Sequence, residues 1–157
     1  MTRTLPRLTR PLILLALLGC SGEGAPQEPR VSGAWARPRS VAPGVSEPEA
    51  GPNTAVYLEI RNPGRVPDRL LGCETPAAAR VEIHQTVMDG DIARMRKVEG
   101  VDLPPGETVR MEPGGMHLMM LDIRESLSPG ATFSLTLFFQ NSPSVTFAVP
   151  VSDTDRG

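Results

Sequence analysis

The sequence holds only two cysteines, Cys20 and Cys73, in 157 residues, so a disulfide framework is excluded as the organising principle of the fold. Histidine is equally scarce: His84 and His117 are the whole supply. No Ser-His-Asp spacing and no glycine-rich phosphate loop appears, and the nearby acids Asp89 and Asp91 are accounted for by a turn, so no enzymatic activity is expected. Basic runs and aromatic-basic stripes are absent and the net charge is −2, which excludes a nucleic-acid binder. No internal repeat appears, and no long segment carries a helical period. The chain is one domain's worth of sequence, long enough to bury a core.

The one apolar run, Leu12 to Leu18, follows Arg3, Arg7 and Arg10 and is too brief to span a bilayer. Residues 1–19 read as a secretory signal. Its end, "LLGC", resembles the lipobox of bacterial lipoproteins, in which the chain is cut before the cysteine and that cysteine is acylated, here Cys20. The alternative is an ordinary signal cut at small residues nearby. Of the 16 Lys and Arg, three leave with the signal, so 13 face 18 acids and the mature charge is near −5. Residues 20–30, rich in Gly, Pro and Glu, read as a lipidated cysteine and tether holding a domain off a membrane. The folded part is expected over 31–151, with a short polar tail at 152–157.

From Val31 the chain alternates in short segments: "VSGAWAR", "TAVYLEIRN", "DRLLGC", "ARVEIHQTVM", "DIARMRKV", "ETVRMEP", "MHLMMLDI", "TFSLTLFFQ" and "VTFAVPV". Turn signals such as "NPG", "MDGD", "LPPGE", "EPGG" and "LSPG" separate them. About nine strands at regular spacing predict an all-β fold, a β-sandwich or Greek-key barrel. Residues 38–53 form the longest irregular stretch.

Six methionines remain after the signal, Met88, Met95, Met111, Met116, Met119 and Met120, and both histidines share their window, residues 84 to 120. Asp89-Gly90 between two strand-like runs is a strong hairpin signal. With those two residues as the loop, His84 lies directly opposite Met95, on one face of the sheet. His117 and Met119, two apart on a strand, share a face as well, and Gly114-Gly115 place them at a strand's mouth. Together the two pairs make a four-ligand site. Neutral imidazoles and polarizable thioethers suit Cu(I), whereas zinc prefers thiolate, imidazole and carboxylate. With no anionic ligand, such a site holds copper without locking it in, which suits transfer. Met88, Met111, Met116 and Met120 read mainly as packing residues; Met88, Met116 and Met120 are candidates for flanking the metal.

The spacing His84, ten residues, Met95, twenty-one residues, His117, one residue, Met119 resembles the H-x10-M-x21-H-x-M pattern of the PCuAC family of periplasmic copper chaperones. The surrounding words "AWAR", "AVYLEIRN", "VEIHQTVMDG", "RMRKVEG" and "PGGMHLMML" resemble that family too, over roughly residues 31–151. The resemblance implies a cupredoxin-like β fold and one Cu(I) held near one end by the two His and two Met. It also implies delivery toward the CuA centre of cytochrome c oxidase, through an oxidase subunit or its assembly factors. Some relatives carry a His- and Met-rich C-terminal tail, and this sequence ends at "VSDTDRG". The lipobox departs from the freely soluble form usual in the family and implies a chaperone tethered to a membrane on the periplasmic face of the cell envelope.

Cys73 is expected to be buried rather than reactive. Two rival classes stand beside the chaperone. An electron-transfer cupredoxin would need a His2Cys set with an axial Met, yet Cys73 precedes both histidines. A metal-free β-sandwich used for adhesion or scaffolding would employ His and Met only as packing.

Overall fold

The structure is a computed structural model, and it describes residues 27–41 and 51–153. The signal segment 1–19, Cys20, the tether up to residue 26, residues 42–50 of the long loop and the tail from residue 154 lie outside the described residues.

Ten strands form and no helix is found among the described residues: β1 (Arg30–Ala36), β2 (Thr54–Arg61), β3 (Asp68–Glu74), β4 (Ala78–Asp89), β5 (Ile92–Lys97), β6 (Val101–Leu103), β7 (Thr108–Met111), β8 (Met116–Ile123), β9 (Thr132–Phe139) and β10 (Val145–Pro150). Nine occupy the alternating segments of the sequence. The tenth, β6, has three residues, too few for an alternation to register. The strands pair antiparallel in two sheets. One runs β1-β2-β8-β4-β5, with β7 also on β2; the other runs β10-β9-β3-β6.

Alternation fixes which side chains lie between the sheets. From the six-stranded sheet, Val56, Leu58 and Ile60 of β2, Ile83 of β4, and Leu118 and Met120 of β8 point inward. Leu70, Leu103, Phe133, Leu135, Leu137, Phe139 and Val149 meet them from the other sheet. The outer face of the six-stranded sheet therefore receives the intervening residues, among them His84, His117 and Met119.

Two glycines with positive φ shape that outer face. Gly33 (φ 61°) lies where the β1–β2 register shifts between Ser32 and Trp35, a bulge that adds one residue to β1. The extra residue turns Trp35 onto the same face as Tyr57, its partner, instead of into the core. The two rings lie 4.7 Å apart between centroids and are buried on the outer face. Gly90 (φ 63°) opens the β4–β5 loop.

Leu135, with no exposed surface, lies in the middle of the core. Truncating it by Leu135→Ala should destabilise the domain by about 2–5 kcal/mol in chemical denaturation, from lost transfer energy plus the cavity left behind. A loss below about 1 kcal/mol would show that the sheets close over the gap and that the packing at this layer is loose.

Candidate functional site

The β4–β5 hairpin corrects the expected register. Its loop is Gly90-Asp91, not Asp89-Gly90: Asp89 pairs with Ile92, Thr86 with Met95, and His84 with Lys97. The cause is the turn type. Gly90 takes positive φ at the first loop position while Asp91 does not, the pattern of a type II′ turn, whereas an Asp-Gly loop would be type I′. Moving the loop by one residue moves the pairing by two, so the face is kept and the alignment is lost. His84 and Met95 still project from one side, as diagonal neighbours roughly 7–8 Å apart at the backbone rather than as a direct pair.

The direct partner of His84 is His117, across the β4–β8 ladder. The two rings stand edge to face with centroids 6.0 Å apart. Each imidazole is tied down through one nitrogen only. His84 Nε2 lies 3.0 Å from Glu82 Oε2, and because an ionised carboxylate can only accept, the ring donates its Nε2–H there. His117 Nδ1 donates to the Gly115 carbonyl at 3.2 Å. The remaining nitrogens, His84 Nδ1 and His117 Nε2, therefore carry lone pairs, and both are buried without a hydrogen-bond partner among the described residues. Leaving a buried acceptor unpaired costs about 1–3 kcal/mol. Two such lone pairs on directly paired strands could hold a cation.

Glu82 is a candidate site residue that sequence reasoning did not single out. Its signal was Glu82-x-His84, a spacing that puts both side chains on one face of a strand. The hydrogen bond from His84, followed by the Lys97 ammonium, holds its carboxyl below the usual carboxylate range. A carboxylate behind a ligating imidazole fixes the tautomer and raises the basicity of the free nitrogen.

The methionines divide by face. Met119 sits on β8 opposite Glu82 on one side and Ala55 on the other, so it shares the outer face with the histidines. Met95 is on the same face and 60% exposed. Met95, His117 and Met119 line one cavity of about 510 Å³, together with Arg37, Arg39, Tyr57 and Thr86. Met116 and Met120 do not flank this site: alternation along β8 sends them to the opposite face, Met120 fully into the core and Met116 packed against it. Met88 keeps the outer face but stands 62% exposed at the hairpin tip. Met111 is core. Cys73 lies on β3 in the other sheet, partly accessible as a residue but with burial pushing its thiol up to about 12. A His2Cys set is therefore not formed.

Burial disfavours a charged imidazole at His117, which is only 3% exposed; the Gly115 carbonyl works against that, while His84 and Arg37 reinforce it. Its pKa falls below 6.5. The unfolded chain accordingly takes this proton first, so the stability associated with the neutral ring is present above pH 6.5 and is lost as pH falls through the folded value. An NMR pH titration of the metal-free protein should find the His117 ring titrating below 6.5. A midpoint at or above 6.5 would mean that the ring is solvated, contrary to its burial.

The family description "Putative lipoprotein LpqE-like" matches residues 30–151. A "Putative lipoprotein Lxx21020" from Leifsonia xyli subsp. xyli is 29% identical over 97% of this chain and 92% of its own length. The "Uncharacterized protein RP573" of Rickettsia prowazekii is 30% identical over 69% of the chain and 58% of its own length. Among solved structures, the copper-bound PCuAC domain from PmoF2 superposes with a TM-score of 0.63 at 26% identity, covering 84% of this chain and 98% of that domain. The Cu(I) form of DR1885 from Deinococcus radiodurans gives a TM-score of 0.57 at 25% identity, over 78% of each chain. The chain belongs to the LpqE-like family, and its two antiparallel sheets form the cupredoxin-like β-sandwich of PCuAC domains.

Proposed function

We propose that the protein is an extracytoplasmic copper chaperone that binds one Cu(I) through His84, Met95, His117 and Met119 and hands it to an acceptor protein. The observation that carries this reading is the pair of buried, unpartnered nitrogens, His84 Nδ1 and His117 Nε2, on directly paired strands. Thioethers on the same face complete a donor set without a formal charge, and that softness favours Cu(I) over zinc or calcium. The copper-bound relatives support the same cargo. Delivery to the CuA centre of cytochrome c oxidase is the destination we assign from the family resemblance.

The chain's own residues divide the work. Glu82 and the Gly115 carbonyl orient the two rings, leaving His84 Nδ1 and His117 Nε2 turned to the proposed copper. Trp35 and Tyr57 keep water from the inner side of His117, whose ring lies 6.3 Å from Tyr57. Release is an exchange of neutral donors, with copper remaining +1 throughout. A tether ending in acylated Cys20 keeps the domain at the membrane, in line with the lipoprotein relative. We place it on the periplasmic face of the cell envelope.

Competition titration with a colorimetric Cu(I) chelator should give one copper per protein. Met119→Leu removes the sulfur and keeps the bulk, so it should lower affinity at least about tenfold with the fold intact, while Met120→Leu, a core swap, should leave affinity unchanged. Equal affinities in the two variants would remove Met119 from the site. Glu82→Gln should weaken Cu(I) binding by about 10–100-fold, the usual effect of losing a carboxylate behind a metal-bound imidazole; an unchanged constant would make Glu82 a surface ion-pair residue only.

Cell fractionation and mass spectrometry check the anchor. Wild type should sediment with membranes and carry lipid on Cys20, and Cys20→Ser should be released. An unmodified Cys20 thiol in the wild-type protein would end the lipoprotein assignment.

A further inference from the structure

The four proposed donors are unequally accessible. His117 is 3% exposed and the His84 side chain 16%, while Met95 stands 60% exposed on β5, the edge strand of its sheet. An incoming ligand therefore reaches the Met95 side of the site first. Beside Met95 on the same face lie the exposed Met88 and Ala93, so the approach is apolar as well as open.

The charge around this opening runs against the chain's own balance. Among the described residues the cavity that exposes Met95, His117 and Met119 is lined by Arg37 and Arg39 and by no Asp or Glu, although the chain as a whole carries −2. Arg37 lies over the Tyr57 ring at 5.6 Å, and neither arginine forms an ion pair among the described residues. Of the other cations on this face, Lys97 is paired with Glu82, Arg80 with Glu82 and Asp122, and Arg110 with Glu59, while Arg30 and Arg61 stand at the far end of β2 from the cavity. Two guanidinium groups with no ion pair among the described residues, beside a site for a cation, work against the cargo unless anionic groups approach from outside. Carboxylates arriving with the acceptor would offset the arginines and draw the ion outward.

Building on the chaperone reading, we propose that this opening, Met95 with Arg37 and Arg39, is the docking surface for a copper-accepting protein whose contact rim is acidic. On docking, a neutral soft donor of the acceptor, a thioether or imidazole nitrogen, bonds to copper as the bond to the Met95 sulfur breaks. Lone pairs are exchanged, copper stays +1, and no electron or proton is transferred.

The test uses the mature, Cu(I)-loaded protein and two synthetic acceptor peptides. Both carry the same Met-rich Cu(I)-binding core, matched in affinity and bearing one fluorophore quenched by copper; one is flanked by Glu and the other by Lys. In stopped-flow mixing at low salt the Glu-flanked peptide should receive copper at least about tenfold faster, within the range of electrostatic steering. The advantage should shrink as ionic strength rises toward about 0.5 M. The double variant Arg37→Gln/Arg39→Gln should abolish it, with Cu(I) affinity in the competition titration equal to or above that of wild type. Equal rates from a fully loaded wild type overturn the docking proposal alone. A protein that holds no Cu(I) overturns the function reading and this proposal with it. A preference that appears only in Glu47→Gln/Glu49→Gln shows that the chain's own acids occupy the arginines, and likewise overturns it.

Discussion

The direct pairing of His84 with His117 across β4 and β8 is the constraint on which the rest of the site depends. Cross-strand neighbours cannot drift apart without breaking the ladder, so two imidazoles are held at a fixed separation by backbone hydrogen bonds rather than by their own contacts. Each ring is then fixed by a single further hydrogen bond, to Glu82 or to Gly115. Those bonds consume the N–H and leave the lone pair. The two rings are therefore oriented without any ion, and the cost of two unpaired buried nitrogens is carried by the packing of the sandwich beneath.

That packing explains why soft residues crowd the strand reading "MHLMMLDI". Period two divides it: Leu118 and Met120 close the core, and His117 and Met119 stand on the outer face. The same residue type performs two tasks in adjacent positions. Met120, with no exposed surface, fills space between the sheets, while Met119 presents its sulfur to a cavity. Local composition alone cannot separate the two, but strand parity can.

Much of this was legible in the sequence because parity is robust. Nine alternating segments became strands, and His84, Met95, His117 and Met119 share one face, since all four assignments need only the right strands and the right phase. What alternation cannot supply is register. Asp89-Gly90 was read as the loop, but glycine at the first position of a type II′ turn moved it to Gly90-Asp91 and replaced a direct His84–Met95 pair by a diagonal one. The His84–His117 pairing was not legible, because those residues lie on strands joined through a long connection. Trp35 was beyond reach for a similar reason: the bulge at Gly33 inverts its face, and a bulge leaves no mark on composition. Grouping Met116 and Met120 with the candidate site ignored the parity that puts His117 and Met119 on the outer face and sends these two inward.

Accessibility adds a distinction that ligand identity does not contain. A carrier has to hold its ion against water and still yield it to another protein, and a uniformly buried set would do the first at the expense of the second. Here the protection is graded. His117, 3% exposed, packs beside Tyr57, which stacks in turn on Trp35, whereas Met95 rides on a strand at the edge of its sheet among the described residues. The donors whose rings are fixed by hydrogen bonds are the buried ones, and the donor on the most exposed strand has only a flexible thioether. On the proposed ligand set, retention falls to the rigid centre of the sheet and exchange to its edge, a division set by strand order together with the hydrogen bonds that hold the two rings.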